Sequence, residues 1–160
     1  MGVPILLIDV DGVLSLYGTG DGNLKGVLVD GVPHLLSQDS ADALRGVAPG
    51  FECVWCTGWE ERADEYLPGL LGLPSGWPFV PLGPATASPH WKLAGIDTYA
   101  GRDRALAWID DNHGPAVEEW AAERPGQTLL VGTQAHIGMT AEHAAALRDW
   151  AAGLTGELRQ

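Results

Sequence analysis

The run Ile5-Leu6-Leu7-Ile8, followed at once by Asp9-Val10-Asp11-Gly12, restricts this chain more than any other feature. A strand with no polar interruption is buried on both faces, which places it inside a parallel sheet covered by helices. Parallel neighbours need long crossover connections, so the remainder should alternate strand and helix. A buried strand that closes on two carboxylates and a glycine also puts charge at the edge of a core, where charge needs a use.

The alternation is present. Residues 24–36 read as a hairpin, with Val27-Leu28-Val29, the turn pair Asp30-Gly31, and then 32–36. Ser37 caps a helix running to about Gly46, with Asp39 in its first turn. Residues 51–56 form a second strand closed by Thr57-Gly58, and 60–71 follow as a helix that Pro68 and Gly69 should interrupt. Residues 74–89 are a Pro-rich connection with one extended piece, 79–82. A helix after Ser88, over 89–100, carries Trp91 and Lys92. The strand 104–109 runs into Asp110-Asp111-Asn112; a helix with Pro near its first position covers 115–123, and 127–131 is a further strand. The last helix starts near Thr140 and repeats Leu147, Trp150, Ala151 and Leu154 at spacings of three and four. The expected fold is α/β: a doubly wound, Rossmann-like, mostly parallel sheet with flanking helices and a β-hairpin flap, one domain over 1–160.

Composition narrows the function classes. With 160 residues, 46% of them hydrophobic, the chain can bury a sizeable core. Nine Lys and Arg against 21 Asp and Glu give a formal charge of −12, which repels a polyanion and argues against avid nonspecific nucleic-acid binding. No apolar stretch approaches ~18 residues, so no membrane-spanning helix is expected. The apolar N-terminus lacks a basic leader and makes a poor signal peptide. Cys53 and Cys56 lie three apart on a strand and so face opposite ways; with no second Cys pair they read as two buried free thiols. A cytoplasmic location is the expectation.

In doubly wound sheets ligands bind outside the carboxyl ends of the strands, at a topological switch point. Asp9, Asp11, Thr57, Asp110 and Asp111 all fall at carboxyl ends of expected strands. Four carboxylates in one pocket repel one another unless a cation joins them. Oxygen ligands without His or Cys favour a hard ion, and Mg²⁺ suits a site that keeps waters and a substrate phosphate. Asp9, Asp11, Asp110 and Asp111 are therefore the candidate metal site.

These segments resemble the haloacid dehalogenase (HAD) superfamily of phosphohydrolases over nearly the whole chain. Residues 5–14, ILLIDVDGVL, resemble its first motif, hhhDxDGhh; Val54-Trp55-Cys56-Thr57-Gly58 resembles the second; Lys92 the basic third; and Ala107-Trp108-Ile109-Asp110-Asp111 the acidic fourth. The resemblance implies that Asp9 is the nucleophile and Asp11 the general acid and base. It implies that Asp9, the backbone carbonyl of Asp11 and Asp111 hold Mg²⁺. Thr57 and the amide of Gly58 would bind phosphate oxygens, with Lys92 balancing charge on the transferring group. The acid at Asp11 places the resemblance on the phosphatase side rather than with enzymes that cleave carbon–halogen bonds.

Enzymes of this superfamily usually carry a cap over the site. Here the hairpin turn is short and residues 59–91 leave little room, so the chain reads as capless, with a site open to a large substrate or covered by another subunit. Residues 132–150, with Gly138-Met139-Thr140 opening the last helix, are similar to HAD domains associated with bacterial RNA repair, whose proposed substrate is a polynucleotide-end phosphate. A small phosphomonoester is the alternative. His34, His90, His113 and His136 read as ordinary loop histidines, and Trp59 and Trp77 as core or rim packing rather than base-stacking platforms. A response-regulator receiver uses the same residue types in a different order. A catalytically idle binding module on the same scaffold is the rival from another class.

Overall fold

The computed structural model describes residues 2–18 and 22–158. In chain order the elements are β1 (Ile5–Ile8), β2 (Ser15–Leu16), β3 (Leu24–Val29), β4 (Val32–Ser37), α1 (Gln38–Val47), β5 (Glu52–Trp55), α2 (Glu61–Leu71), α3 (Leu93–Ala100), β6 (Leu106–Asp110), α4 (Pro115–Glu123), β7 (Thr128–Gly132) and α5 (Ala141–Leu158), with 3-10 turns at Ala48–Gly50 and Pro89–Lys92. Strands β5-β1-β6-β7 form a four-stranded sheet, every pair parallel. All four residues of β1 are buried, as the apolar run requires.

The period of two divides the core into two layers. Leu6 and Ile8, with Cys53, Trp55, Ala107 and Ile109, face one side and pack with Leu44 of α1, Leu67 of α2 and Leu147 of α5. Ile5 and Leu7, with Val54, Cys56, Leu106 and Trp108, face the other and pack with Ile96 of α3 and Val117 and Trp120 of α4. This is an α/β architecture with helices on both faces of a parallel sheet, compatible with a Rossmann-like fold. Cys53 and Cys56 fall on opposite faces, both free, with burial pushing each thiol up to about 12. Among the described residues no helix is long and apolar enough to cross a membrane.

Strand order locates the site. The chain passes from β1 to β5 on one side, then crosses to β6 on the other, so the crevice between the carboxyl ends of β1 and β6 is the switch point. Ile8 pairs with both Trp55 and Ile109, which brings the ends of all three strands level.

The hairpin is part of a three-stranded antiparallel sheet, order β2-β4-β3. Its turn, Asp30-Gly31, has φ of 50° and 79°, the positive values a two-residue hairpin turn needs. The tip is tied to α2, because Asp30 accepts from Arg62 Nη1 (3.1 Å) and Tyr66 Oη (3.0 Å). Ser37 caps α1 as expected, its hydroxyl accepting from the Ser40 amide.

Three expectations change. Helix α2 runs through Pro68, which leaves the Asp64 carbonyl without its helical donor. The helix closes one turn later on Gly72, at φ 68°. The extended piece 79–82 is not a strand but a single bridge from Phe79 to Trp55. Pro78 has no amide hydrogen to extend the pairing at one end, and at the other the Leu82 amide donates to Glu60 Oε2 instead. Finally, the helix expected over 89–100 begins as a 3-10 turn and becomes α-helical at Leu93.

Candidate active site

Asp9 follows β1 directly, Asp110 is the last residue of β6, and Asp111 is the next. One carboxylate oxygen from each lies within 4.8 Å of the others. Lys92, at the end of the 3-10 turn, reaches between the strands, with Nζ 3.1 Å from Asp9 Oδ1 and 2.7 Å from Asp110 Oδ2. Its third contact is the Cys56 carbonyl at 2.9 Å. An ammonium has three donors, and all three are used. Asp110 also accepts the Asn112 amide at 2.9 Å.

The electrostatics follow from burial. Asp9 is 7% exposed, and burial pushes its carboxyl well above the usual range; Lys92 opposes this, while Asp110 and Asp111 reinforce it. Burial and then Asp110 raise Asp111 to about 6. Burial acts upward on Asp110 as well, but the Lys92 ammonium outweighs it and holds that carboxyl low. Burial likewise disfavours the Lys92 charge, yet Asp9 and Asp110 together raise its pKa above the ordinary lysine value. One cation among three carboxylates leaves the group short of positive charge.

Asp9, Asp11, Asp110 and Asp111 all line one cleft of about 400 Å³, with Lys92, Gly58, Tyr17, Ala85, Trp91 and Asn112. The four carboxylates do not all converge, however. Asp11 lies past the strand, where residues 12–14 turn, and its side chain is engaged elsewhere. Oδ2 accepts from Trp59 Nε1 at 3.2 Å, and Oδ1 is 3.8 Å from His34 Nδ1. As a side-chain metal ligand Asp11 therefore stands apart from Asp9, Asp110 and Asp111. Thr57 is 1% exposed and does not line the cleft; its hydroxyl accepts the Trp59 amide at 3.2 Å. Gly58 beside it is exposed and does line the cleft.

The histidines separate clearly. His34 sits in the flap, 3.0 Å from Ser15 Oγ and with its ring 4.7 Å from that of Trp59. His90 and His136 are exposed. His113 packs edge-on against Trp108, with burial lowering its pKa. Trp59 is buried, and Trp77 packs on Trp55 at 5.3 Å.

Sequence reasoning did not single out Tyr17, Trp91 and Asn112 as cleft walls, or Trp59 as a partner of Asp11. Only adjacency hinted at them, since Trp91 precedes Lys92 and Asn112 follows Asp111. The loop after β7 also braces the site. Thr133 Oγ1 donates to the Gly12 carbonyl at 2.8 Å, and its amide donates to the Asp110 carbonyl at 3.1 Å.

A scan against protein-family models matches none of them, and no curated protein matches the chain.

Proposed function

We propose that this chain is a Mg²⁺-dependent phosphomonoester hydrolase of the HAD type, working through an aspartyl-phosphate on Asp9. The observation that carries the reading is the group of Asp9, Asp110 and Asp111, gathered within 4.8 Å at the switch point with Lys92 between them. The donor set suits a hard divalent cation: it is all carboxylate oxygen, and burial, reinforced by the neighbouring carboxylates, raises the pKa of two of its three members. Asp9 and Asp111 would hold Mg²⁺, with Asp110 kept in place by Lys92. Bound there, the ion supplies charge neutralisation between two anions and braces an in-line displacement.

The chain's own residues supply the rest. An Asp9 oxygen forms a bond to phosphorus as the bond to the leaving oxygen breaks, dividing one difficult displacement into two easier ones. Asp11 protonates the departing alkoxide, then takes a proton from the water that attacks the phosphoenzyme and restores Asp9. Its burial fits this duty: the Asp11 side chain is 40% exposed and can exchange protons with solvent, whereas that of Asp9 is 9% exposed. Lys92 fixes Asp9 and Asp110 and offsets charge on the transferring group. With its three donors committed, it acts on phosphate through its field. The Gly58 amide, on the cleft wall, is the candidate for direct phosphate contact.

We further read the chain as capless. The link from β1 to α1 holds the three-stranded flap, and residues 72–88 add a single bridge rather than a second layer. A small phosphomonoester and a polynucleotide-end phosphate both present the dianion this cleft would take. The test is release of p-nitrophenol from its phosphate ester by purified protein. The reading predicts activity that requires Mg²⁺, is lost with chelator, and is abolished in Asp9→Asn. Absence of activity against this ester and against a panel of nucleotides, sugar phosphates, phosphopeptides and phosphorylated oligonucleotides would favour the idle module.

A further inference from the structure

Asp11 is held by two residues from different parts of the fold, and neither belongs to the carboxylate group. The Trp59 indole N–H donates to Oδ2 at 3.2 Å, and His34 packs its ring on Trp59 while presenting Nδ1 3.8 Å from Oδ1. His34 is steadied in turn by Ser15 Oγ at 3.0 Å, across the β2–β4 pair. The turn that delivers Trp59 is strained. Glu60 has φ 49° and ψ −124°, a region left almost entirely to glycine. It is kept there by two bonds, its amide donating to the Thr57 carbonyl at 3.1 Å and its Oε2 accepting the Leu82 amide at 3.1 Å.

We propose that Trp59, backed by His34 and by the strained turn at Glu60, is a positioning residue that holds the Asp11 carboxylate apart from the metal-binding group and aimed at the leaving oxygen. A free Asp11 side chain beside Asp9, Asp110 and Asp111 would be drawn to any divalent cation there and lost as a proton donor. The single indole N–H donor fixes the direction of the carboxylate. The flap thereby gains a role in the chemistry, since its central strand β4 supplies His34.

This rests on the phosphohydrolase reading, and the experiment separates the two. The kcat/KM values of the unaltered protein, Trp59→Phe and Asp11→Asn are compared on p-nitrophenyl phosphate and on an alkyl phosphate, both with Mg²⁺. This constant reports formation of the phosphoenzyme, and only the alkyl ester needs its leaving oxygen protonated. Trp59→Phe keeps the buried ring and removes the N–H. The expected result is a loss of about tenfold or more on the alkyl ester and less than about threefold on the aryl ester, the same pattern as Asp11→Asn in milder form. Equal losses on both esters, or none on either, would overturn the positioning role. A second measurement leaves Trp59 intact: Asp11→Asn should move the Trp59 indole N–H resonance, assigned by its disappearance in Trp59→Phe. An unmoved resonance would also overturn the proposal. No Mg²⁺-dependent turnover of either ester by the unaltered chain would overturn the underlying reading, and the positioning role with it.

Discussion

Gly12 lies directly against the carboxyl group of Asp111: a Cβ built on its backbone would overlap Asp111 Cγ and Oδ2. The φ of Gly12 is 85°, which L side chains seldom adopt. The glycine that closes the D-x-D-G run is thus the floor on which the second acidic pair rests, and it joins the ends of β1 and β6 sterically as Lys92 joins them electrostatically.

Gly12→Ala should therefore do more harm to the site than to the fold. The backbone strain is expected to cost about 1–3 kcal/mol of stability, read by urea unfolding. Asp111 must also swing away from Asp9, so the Mg²⁺ concentration needed for half-maximal thermal stabilisation should rise well beyond what the lost stability explains. An unchanged Mg²⁺ response would show that Asp111 is not a ligand.

Removing Lys92 strands buried charge. In Lys92→Met, Asp9 and Asp110 lose their shared cation and the Cys56 carbonyl loses its donor. Breaking one side of a buried ionic group costs about 3–5 kcal/mol, and that loss is the expected change in unfolding free energy near neutral pH. The loss should shrink in acid, where Asp9 takes up a proton, and a pH-independent loss would argue that packing alone is affected.

The pH dependence of the metal-free protein has a definite sign. The Asp111 carboxyl is raised from 3.8 to about 6 on folding, so between those values the native state binds more protons than the unfolded chain. Stability must then fall as pH rises through that window and level off above it. Asp9, also raised, acts in the same direction, while the lowered Asp110 contributes stability that is lost only in stronger acid. Mg²⁺ requires the ionised carboxylates, so its effect on the melting temperature should be larger near about pH 7.5 than near about pH 5. Asp111→Ala should remove most of the Mg²⁺ effect and only part of the pH dependence, the rest belonging to Asp9.

Much of the fold was legible because the buried strands were written in uninterrupted apolar residues and closed by acid or by Thr57-Gly58. The hairpin was legible in Asp30-Gly31, and helix α1 in Ser37. Pro68 misled because a proline's cost, one lost bond to the Asp64 carbonyl, can be outweighed by packing, and α2 buries Ala63, Leu67 and Leu71 on the core. The piece 79–82 misled because apolar residues promise a strand whether or not neighbouring prolines leave amides to pair. In the site, Asp9, Asp110 and Asp111 could be read from the ends of strands, and Lys92 only from the family resemblance. The departure of Asp11 toward Trp59 could not, since two residues past a strand the side chain's direction depends on contacts 23 and 48 positions away in sequence.

The claim on which the rest depends is that Asp9 becomes phosphorylated, and the most direct measurement is acid quench of the protein turning over a radiolabelled phosphomonoester with Mg²⁺, followed by peptide mapping. The account predicts label on Asp9 and on no other carboxylate, with none retained in Asp9→Asn. Label on another residue, or an Asp9→Asn protein that still hydrolyses the ester at the full rate, would contradict it.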